Sequence, residues 1–323
     1  MLDIHNLSVG LSGCQSGVKI LDDLNFSLSA GEILGLVGES GSGKSMTALS
    51  IMNLLPGGIK VGSGKILFKN QNLLTMAPDQ MRRTRGSKIS MIFQEPMTAL
   101  NPVFSIGRQV GEVFITHLGA SAARARAMSI AILDRVGIPD AARRVDSYPH
   151  QLSGGLRQRV LIAMAMALTP DIILADEPTT ALDVTIQAQI LSLLEELTRA
   201  HRTACLLITH NLAVVAQMAD RVAIMYAGRL VEVSPVRQLL DMPWHPYTKG
   251  LLACLPARSR PGQVLPTIAG MVPALGSLPA NTCPFSPRCV SALARCAQAE
   301  PVLHDMGGGR QVACFLYHDN GRW

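Results

Sequence analysis

Hydrophobic and polar positions alternate from the first residues of the chain. Leu2, Ile4 and Leu7 stand among Asp3, His5 and Asn6, a period that predicts a half-buried strand over residues 2–9. Residues 18–28 read as a second strand region, closed by the turn Ser29-Ala30-Gly31-Glu32. Ile33-Leu34-Gly35-Leu36-Val37 is different. It is short, continuously apolar and followed by a glycine-rich stretch from Gly38 to Gly43, which predicts a strand buried on both faces. From Lys44 to Leu55 the pattern turns helical and stops at Pro56-Gly57-Gly58.

Further along, residues 105–136 carry a helical pattern rich in Ala and Arg, and residues 154–168 form another, ended before Pro170. Ile172 to Ala175 reads as a second buried strand. A helix over about 184–200 follows, then a third apolar strand from Ala204 to Thr209. Strands alternating with helices indicate an α/β domain with a largely parallel sheet. Near residue 255 the periodicity fades, and Pro256, Pro261, Pro266, Pro273 and Pro279 punctuate an irregular segment.

Composition narrows the class. The 323 residues are 48% hydrophobic and 16% charged, which supplies a sizeable core and excludes a disordered chain. Aromatics are only 4%, so the core is expected to be aliphatic. The longest apolar run, Val160 to Leu168, is nine residues, against about 20 for a membrane-spanning helix. The start lacks the apolar core of a secretory signal, and a cytosolic location is expected. The net charge of +6 is compatible with phosphates, nucleic acid or an anionic membrane surface, without choosing among them.

Candidate chemistry begins at Gly38-Glu39-Ser40-Gly41-Ser42-Gly43-Lys44-Ser45, which matches the phosphate-loop pattern G-x-x-x-x-G-K-[ST]. The glycines let backbone N–H groups turn inward around phosphate oxygens. The helix that follows points its positive end at the same anion. Lys44 is placed to neutralise β- and γ-phosphate charge, and Ser45 to offer its hydroxyl to Mg²⁺. Ile172 to Ala175 runs into Asp176 and Glu177. In a parallel sheet ligands sit at the carboxyl ends of strands, so Asp176 is expected to hold Mg²⁺ and Glu177 to polarise the attacking water.

Leu152-Ser153-Gly154-Gly155-Leu156-Arg157-Gln158-Arg159 lies upstream of the acidic strand and resembles the signature sequence of ABC-type ATPases. Other marks of that family follow in order. Gln94 resembles the Q-loop glutamine, Ala181-Leu182-Asp183 the D-loop, and His210 the switch histidine. Phe93 to Pro102, Tyr148 to Ser153, Asp176 to Val184 and His245-Pro246-Tyr247-Thr248 narrow the resemblance. They are similar to the ATP-binding subunits of oligopeptide/dipeptide ABC importers, with nickel importers as near relatives.

The resemblance implies an α/β fold: an ABC-type P-loop ATPase domain with a helical subdomain, an antiparallel β edge and a Cys-rich C-terminal extension. The expected divisions are 1–254 for the ATPase, with the helical part at about 96–168, and 255–323 for the extension. It implies two cassettes facing head to tail. Gly38 to Ser45 would hold ATP, with Ser45, Gln94 and Asp176 around Mg²⁺ and Glu177, His210 and Gln94 at the reacting phosphate. Ser153, Gly154, Gly155 and Gln158 would act on the partner's ATP, and Asp183 would couple the two sites. The implied partners are two transmembrane permease subunits, a second related ATP-binding subunit in a heterodimer, and an extracytoplasmic substrate-binding protein. The implied location is the cytoplasmic face of the inner membrane, held peripherally. The competing readings are the same role for nickel or another metal chelate, and a non-transport ABC ATPase on nucleic acid or ribosomes. One departure stands out: where the family carries an adenine-stacking aromatic, this chain has Val9-Gly10-Leu11.

Seven cysteines are present, and Cys283, Cys289, Cys296 and Cys314 fall within 32 residues. Their spacing lacks the close pairs usual for structural zinc, whereas four thiolates can hold an iron–sulfur cluster. Cys283-Pro284-Phe285-Ser286-Pro287-Arg288-Cys289 resembles the C-terminal motif of the peptide-importer group, which implies a [4Fe–4S] cluster, with zinc as the alternative.

Overall fold

The computed structural model describes residues 1–12, 18–180, 182–255, 266–277 and 281–317. Ala181 of the D-loop motif, Cys14, and Pro256, Pro261 and Pro279 lie outside the described residues. In chain order the elements are β1 (Leu2–Leu11), β2 (Lys19–Leu28), β3 (Ile33–Val37), α1 (Lys44–Ile51), β4 (Ile59–Phe68), β5 (Gln71–Asn72), α2 (Pro78–Thr84) and β6 (Ile89–Ile92). Then come α3 (Pro96–Ala99), α4 (Ile106–Leu118), α5 (Ala122–Arg135), α6 (Ala141–Arg144), α7 (Gly154–Met166), β7 (Ile172–Asp176) and α8 (Val184–His201). The chain continues through β8 (Ala204–Thr209), α9 (Leu212–Met218), β9 (Arg221–Tyr226), β10 (Arg229–Pro235), α10 (Val236–Asp241), α11 (Pro246–Ala253), β11 (His304–Asp305) and β12 (Gln311–Val312).

The chain divides into two compact units. The first comprises Met1–Leu28, Ile33–Leu74 and Ile208–Trp323; the second comprises Ser29–Glu32 and Thr75–Leu207. In the first unit β2, β1, β4 and β5 form an antiparallel sheet in that order. A further set runs β11-β12-β10-β9-β3. There β3 pairs parallel with β9, and the remaining neighbours are antiparallel. In the second unit β6 and β7 pair parallel, Ile89 opposite Ile172 and Ile92 opposite Ala175. The architecture is the mixed α/β fold with an antiparallel β edge expected from the sequence. Between Pro96 and Met166 the described chain is helical, with no strand.

The apolar runs explain the parallel strands. Every residue of β3, β7 and β8 is buried, as expected for strands covered on both faces. Helix α8 buries Ile190, Leu191, Leu194 and Leu197, a stripe along one face. Asp183 caps it, its carboxylate accepting from the Ile186 N–H at 2.9 Å. The helical stretch at 105–136 is two helices. Gly119 ends α4 in the left-handed region, and Ser121 starts α5 by accepting from the Arg124 N–H. Among the described residues no helix is long and apolar enough to cross a membrane.

Candidate functional site

The stretch from Gly38 to Ser45 joins β3 to α1. Gly43 caps the helix with φ 103° and supplies no side chain, so the first-turn N–H groups keep no side-chain acceptor at that position. A Cβ at Gly43 would lie 2.6 Å from Leu21 Cδ2 and 2.9 Å from Met225 Cε, so glycine is required by space as well as by φ. The Lys44 ammonium donates to the carbonyls of Gly38 at 2.8 Å and Glu39 at 2.9 Å. The lysine is therefore buried and folded over the loop. Ser45 follows it in the first turn, half-buried, while Ser40 and Gly41 are exposed. His210 directly follows β8, belongs to the same unit as the loop and is exposed.

The second unit gathers the acidic strand end and the glutamine. Asp176 closes β7 and is buried. Glu177 follows with φ 46°, a left-handed conformation that costs a non-glycine residue about 1–3 kcal/mol and is held only where surroundings demand it. Those surroundings are visible. Its carboxylate accepts from the Thr180 hydroxyl at 2.8 Å and from Gln94 Nε2 at 3.3 Å. The structure thus joins Gln94 and Glu177, which stand 83 positions apart in the chain.

Ser153 is the N-cap of α7, and its hydroxyl accepts from the Leu156 N–H at 3.4 Å. Ser153 and Gly154 are exposed, whereas Gln158 is buried. The signature residues thus split between an outward-facing helix end and an inward-facing side chain. The glycines have a second reason to be there. A Cβ at Gly155 would meet Ile186 Cγ2 at 2.7 Å, and one at Gly154 would meet Leu182 Cδ2 at 3.3 Å. The signature helix therefore packs against the segment headed by exposed Asp183, a constraint that the motif alone did not disclose.

Residues 21–180 match the family model described as ABC transporter, and residues 231–296 match the model of the oligopeptide/dipeptide transporter C-terminal region. The chain is 47% identical to the oligopeptide transport ATP-binding protein OppD of Escherichia coli K12, over 98% of this chain and 93% of that protein. It is also 47% identical to the dipeptide transport ATP-binding protein DppD of Bacillus subtilis 168, over 98% of this chain and 94% of that protein. The chain belongs to the ATP-binding proteins of oligopeptide/dipeptide ABC transporters. Its fold is similar to a solved dimeric ATP-binding cassette in a post-hydrolysis state with ADP and phosphate. That match has a TM-score of 0.65 at 28% identity and covers 73% of this chain and 99% of the other. As a member of this family the chain is an ABC ATPase.

Two features of this ABC ATPase lie outside the family's ATP motifs. The first is the back of the phosphate loop. The Glu39 N–H donates to the Tyr247 hydroxyl at 3.0 Å, and Arg288 donates to the Glu39 carboxylate. Tyr247 was visible in the sequence only as part of a group mark, and Arg288 only as part of a cysteine motif. Tyr247 is fully buried, and burial pushes its hydroxyl pKa up. Next to it, His245 caps α11 through Nδ1, which accepts from the Tyr247 N–H at 3.0 Å. Burial lowers the His245 pKa to about 3.

The second feature is the cysteine tail. Cys283, Cys296 and Cys314 are buried and Cys289 is half-buried. Burial pushes Cys283 and Cys314 up to about 11 and raises Cys289, and each of the three is raised further by neighbouring cysteines. Cys283 and Cys296 are tied through the backbone, the Cys283 N–H donating to the Cys296 carbonyl at 2.9 Å. Among the described residues, however, no three His, Cys, Asp or Glu side chains are gathered to hold a metal ion. The four cysteines have the chemistry of a thiolate donor set, but their present arrangement is not that of a closed single-ion site. Leu11 is 41% exposed at the end of β1.

Proposed function

We propose that this chain is the ATP-hydrolysing subunit that powers import of peptides across the bacterial inner membrane. The observation that carries the reading is nearly full-length similarity, at 47% identity, to transport ATP-binding proteins named for oligopeptides and dipeptides. The match over residues 231–296 supports it from the C-terminal side. The nickel-chelate alternative gains nothing from these relatives.

In this reading Gly38, Glu39, Ser40, Gly41, Ser42, Gly43, Lys44 and Ser45 cradle the ATP phosphates through backbone N–H groups and the Lys44 ammonium. Ser45, Gln94 and Asp176 would hold Mg²⁺, which supplies charge neutralisation between the β- and γ-phosphates. Glu177 accepts a proton from the attacking water, and Gln94, already hydrogen-bonded to it, keeps its carboxylate in line. His210 lies at the end of its strand as a donor to the γ-phosphate. Phosphoryl transfer asks mainly for positioning and charge stabilisation, and these side chains offer both.

Ser153, Gly154 and Gly155 would contact ATP held by a second cassette, with Gln158 supporting them from inside and Asp183 linking the two sites. Because the complete site needs both chains, closure becomes a condition of hydrolysis and drives two permease subunits. The second cassette is taken as a related, unequal chain, the cargo as delivered by an extracytoplasmic binding protein, and the location as peripheral on the inner membrane. Residues 1–254 would carry the ATPase, with the helical part at about 96–168, and residues 255–323 an added module. For that module we favour a [4Fe–4S] cluster held by Cys283, Cys289, Cys296 and Cys314. The Cys283-Pro284-Phe285-Ser286-Pro287-Arg288-Cys289 stretch and the match to the oligopeptide/dipeptide C-terminal region support it, with zinc as the alternative.

Transport assays on the assembled complex in vesicles test the peptide reading. ATP-dependent uptake of short peptides, but not of nickel chelates, is expected. Uptake of nickel alone would overturn it. The cluster has its own readout: anaerobically purified protein should absorb in the visible with about four irons per chain, and a colourless protein with stoichiometric zinc would refute it.

A further inference from the structure

The segment between Cys283 and Cys289 reaches the back of the phosphate loop. A short turn presents Arg288: Ser286 N–H donates to Cys283 O at 3.0 Å, and Arg288 N–H to Phe285 O at 3.0 Å. The Arg288 side chain is only 6% exposed. Its Nη1 donates to both carboxylate oxygens of Glu39 at 3.1 Å and to the Tyr226 hydroxyl at 3.4 Å. Its Nε donates to Ala269 O at 2.9 Å and Nη2 to Ile268 O at 3.4 Å. A buried guanidinium is costly unless its donors are matched, and here all three nitrogens have partners.

Around this contact stand three aromatic rings in a chain poor in aromatics. Tyr226 and Tyr247 meet edge-on with centroids 4.8 Å apart, and Phe285 lies 5.2 Å from the first and 5.4 Å from the second. They hold the Tyr247 hydroxyl where the Glu39 N–H donates to it. The Glu39 carbonyl in turn accepts from the Lys44 ammonium and from the Ser42 N–H. Glu39 is therefore where the cysteine segment, α11, the loop backbone and the phosphate-binding lysine meet.

We propose that Arg288 and Tyr247 are positioning residues of the phosphate loop. By fixing Glu39 they hold the carbonyl on which Lys44 rests, and the N–H groups after it, in the shape that receives a triphosphate. The Cys283–Cys289 segment thereby sets ATP affinity. One guanidinium nitrogen shared between both carboxylate oxygens, with the other two nitrogens anchored on backbone carbonyls, fixes direction as well as distance, which is what a positioning contact needs. The proposal rests on Gly38 to Ser45 being the ATP site.

The test is equilibrium binding of ATP with Mg²⁺ to the assembled complex in a Glu177→Gln background, so that nucleotide is not consumed. Arg288→Ala should raise the Kd on the order of tenfold, a change of about 1.4 kcal/mol. Glu39→Ala should do the same, and the double variant should lose no more than either alone, because both remove one contact. Arg288→Lys, which keeps the charge but loses the nitrogens held by backbone carbonyls, should recover part of the loss. In Arg288→Ala without the Glu177→Gln change, the loss should appear in KM for ATP more than in kcat. An unchanged Kd in Arg288→Ala, or losses that add in the double variant, would overturn the proposal. So would a lower nucleotide-free thermal midpoint with unaltered Kd, which marks a structural tie alone. If Arg288→Ala fails to fold, Glu39→Ala and Arg288→Lys are held to the same criteria. Lys44→Ala separates the two levels: if it too leaves ATP binding intact, the ATP site itself is misplaced and the proposal falls with it.

Discussion

Lys44 and His245 show what single side chains contribute. The Lys44 ammonium is already directed by two loop carbonyls, so its removal should abolish recognition rather than weaken packing. ATP at 100 times its Kd stabilises the wild-type fold by about 2.7 kcal/mol through linkage. Lys44→Ala should lose that increment, seen as no ATP-dependent rise in thermal midpoint. The burial of His245 predicts an acid-sensitive contribution to stability. Its pKa lies near 3 in the fold, against about 6.5 in an unfolded chain. Between those values the unfolded chain holds a proton that the native chain does not, so stability falls as pH drops from about 6.5 towards 3, by up to about 1.4 kcal/mol per pH unit. His245→Asn keeps an acceptor for the Tyr247 N–H and should flatten that part of the profile in denaturant melts. An unchanged slope would remove His245 as its cause. Neither the cap nor its burial could be read from His245-Pro246-Tyr247-Thr248, because both depend on partners supplied by folding.

At the scale of elements, the strands buried on both faces were legible because continuous apolar runs have no other comfortable place. β3, β7 and β8 lie within a residue of where the pattern put them. The split of residues 105–136 was hidden because Ala and Arg suit a helix on both sides of the break, and only Gly119 and Ser121 mark it. β4 was missed because most of it is exposed or half-buried, which leaves little alternation to see. The phosphate loop, the acidic strand end and the signature could be read because each combines unusual residues at fixed spacing. The Glu39–Arg288 contact could not, since its members are 249 positions apart. The packing of α7 on α8 makes its own prediction. Gly155→Ala sends a methyl towards Ile186 Cγ2 at 2.7 Å, and overpacking of this kind costs about 1–3 kcal/mol. Pairing it with Ile186→Ala, which removes the opposing atom, should restore much of the stability in urea melts. No recovery would mean that the glycine is required for another reason.

At the scale of the whole molecule, the chain forms two compact units, each with its own candidate residues. The first carries the phosphate loop and His210, the second Gln94, Asp176, Glu177 and the signature helix. Arg288 ties the Cys283–Cys289 segment to Glu39 of the Gly38–Ser45 loop within the first unit. The most direct measurement is ATP turnover by the assembled transporter carrying Glu177→Gln. Nucleotide affinity should remain at the wild-type level, while hydrolysis at this chain's site falls by on the order of a hundredfold or more. Hydrolysis at the wild-type rate would contradict the account.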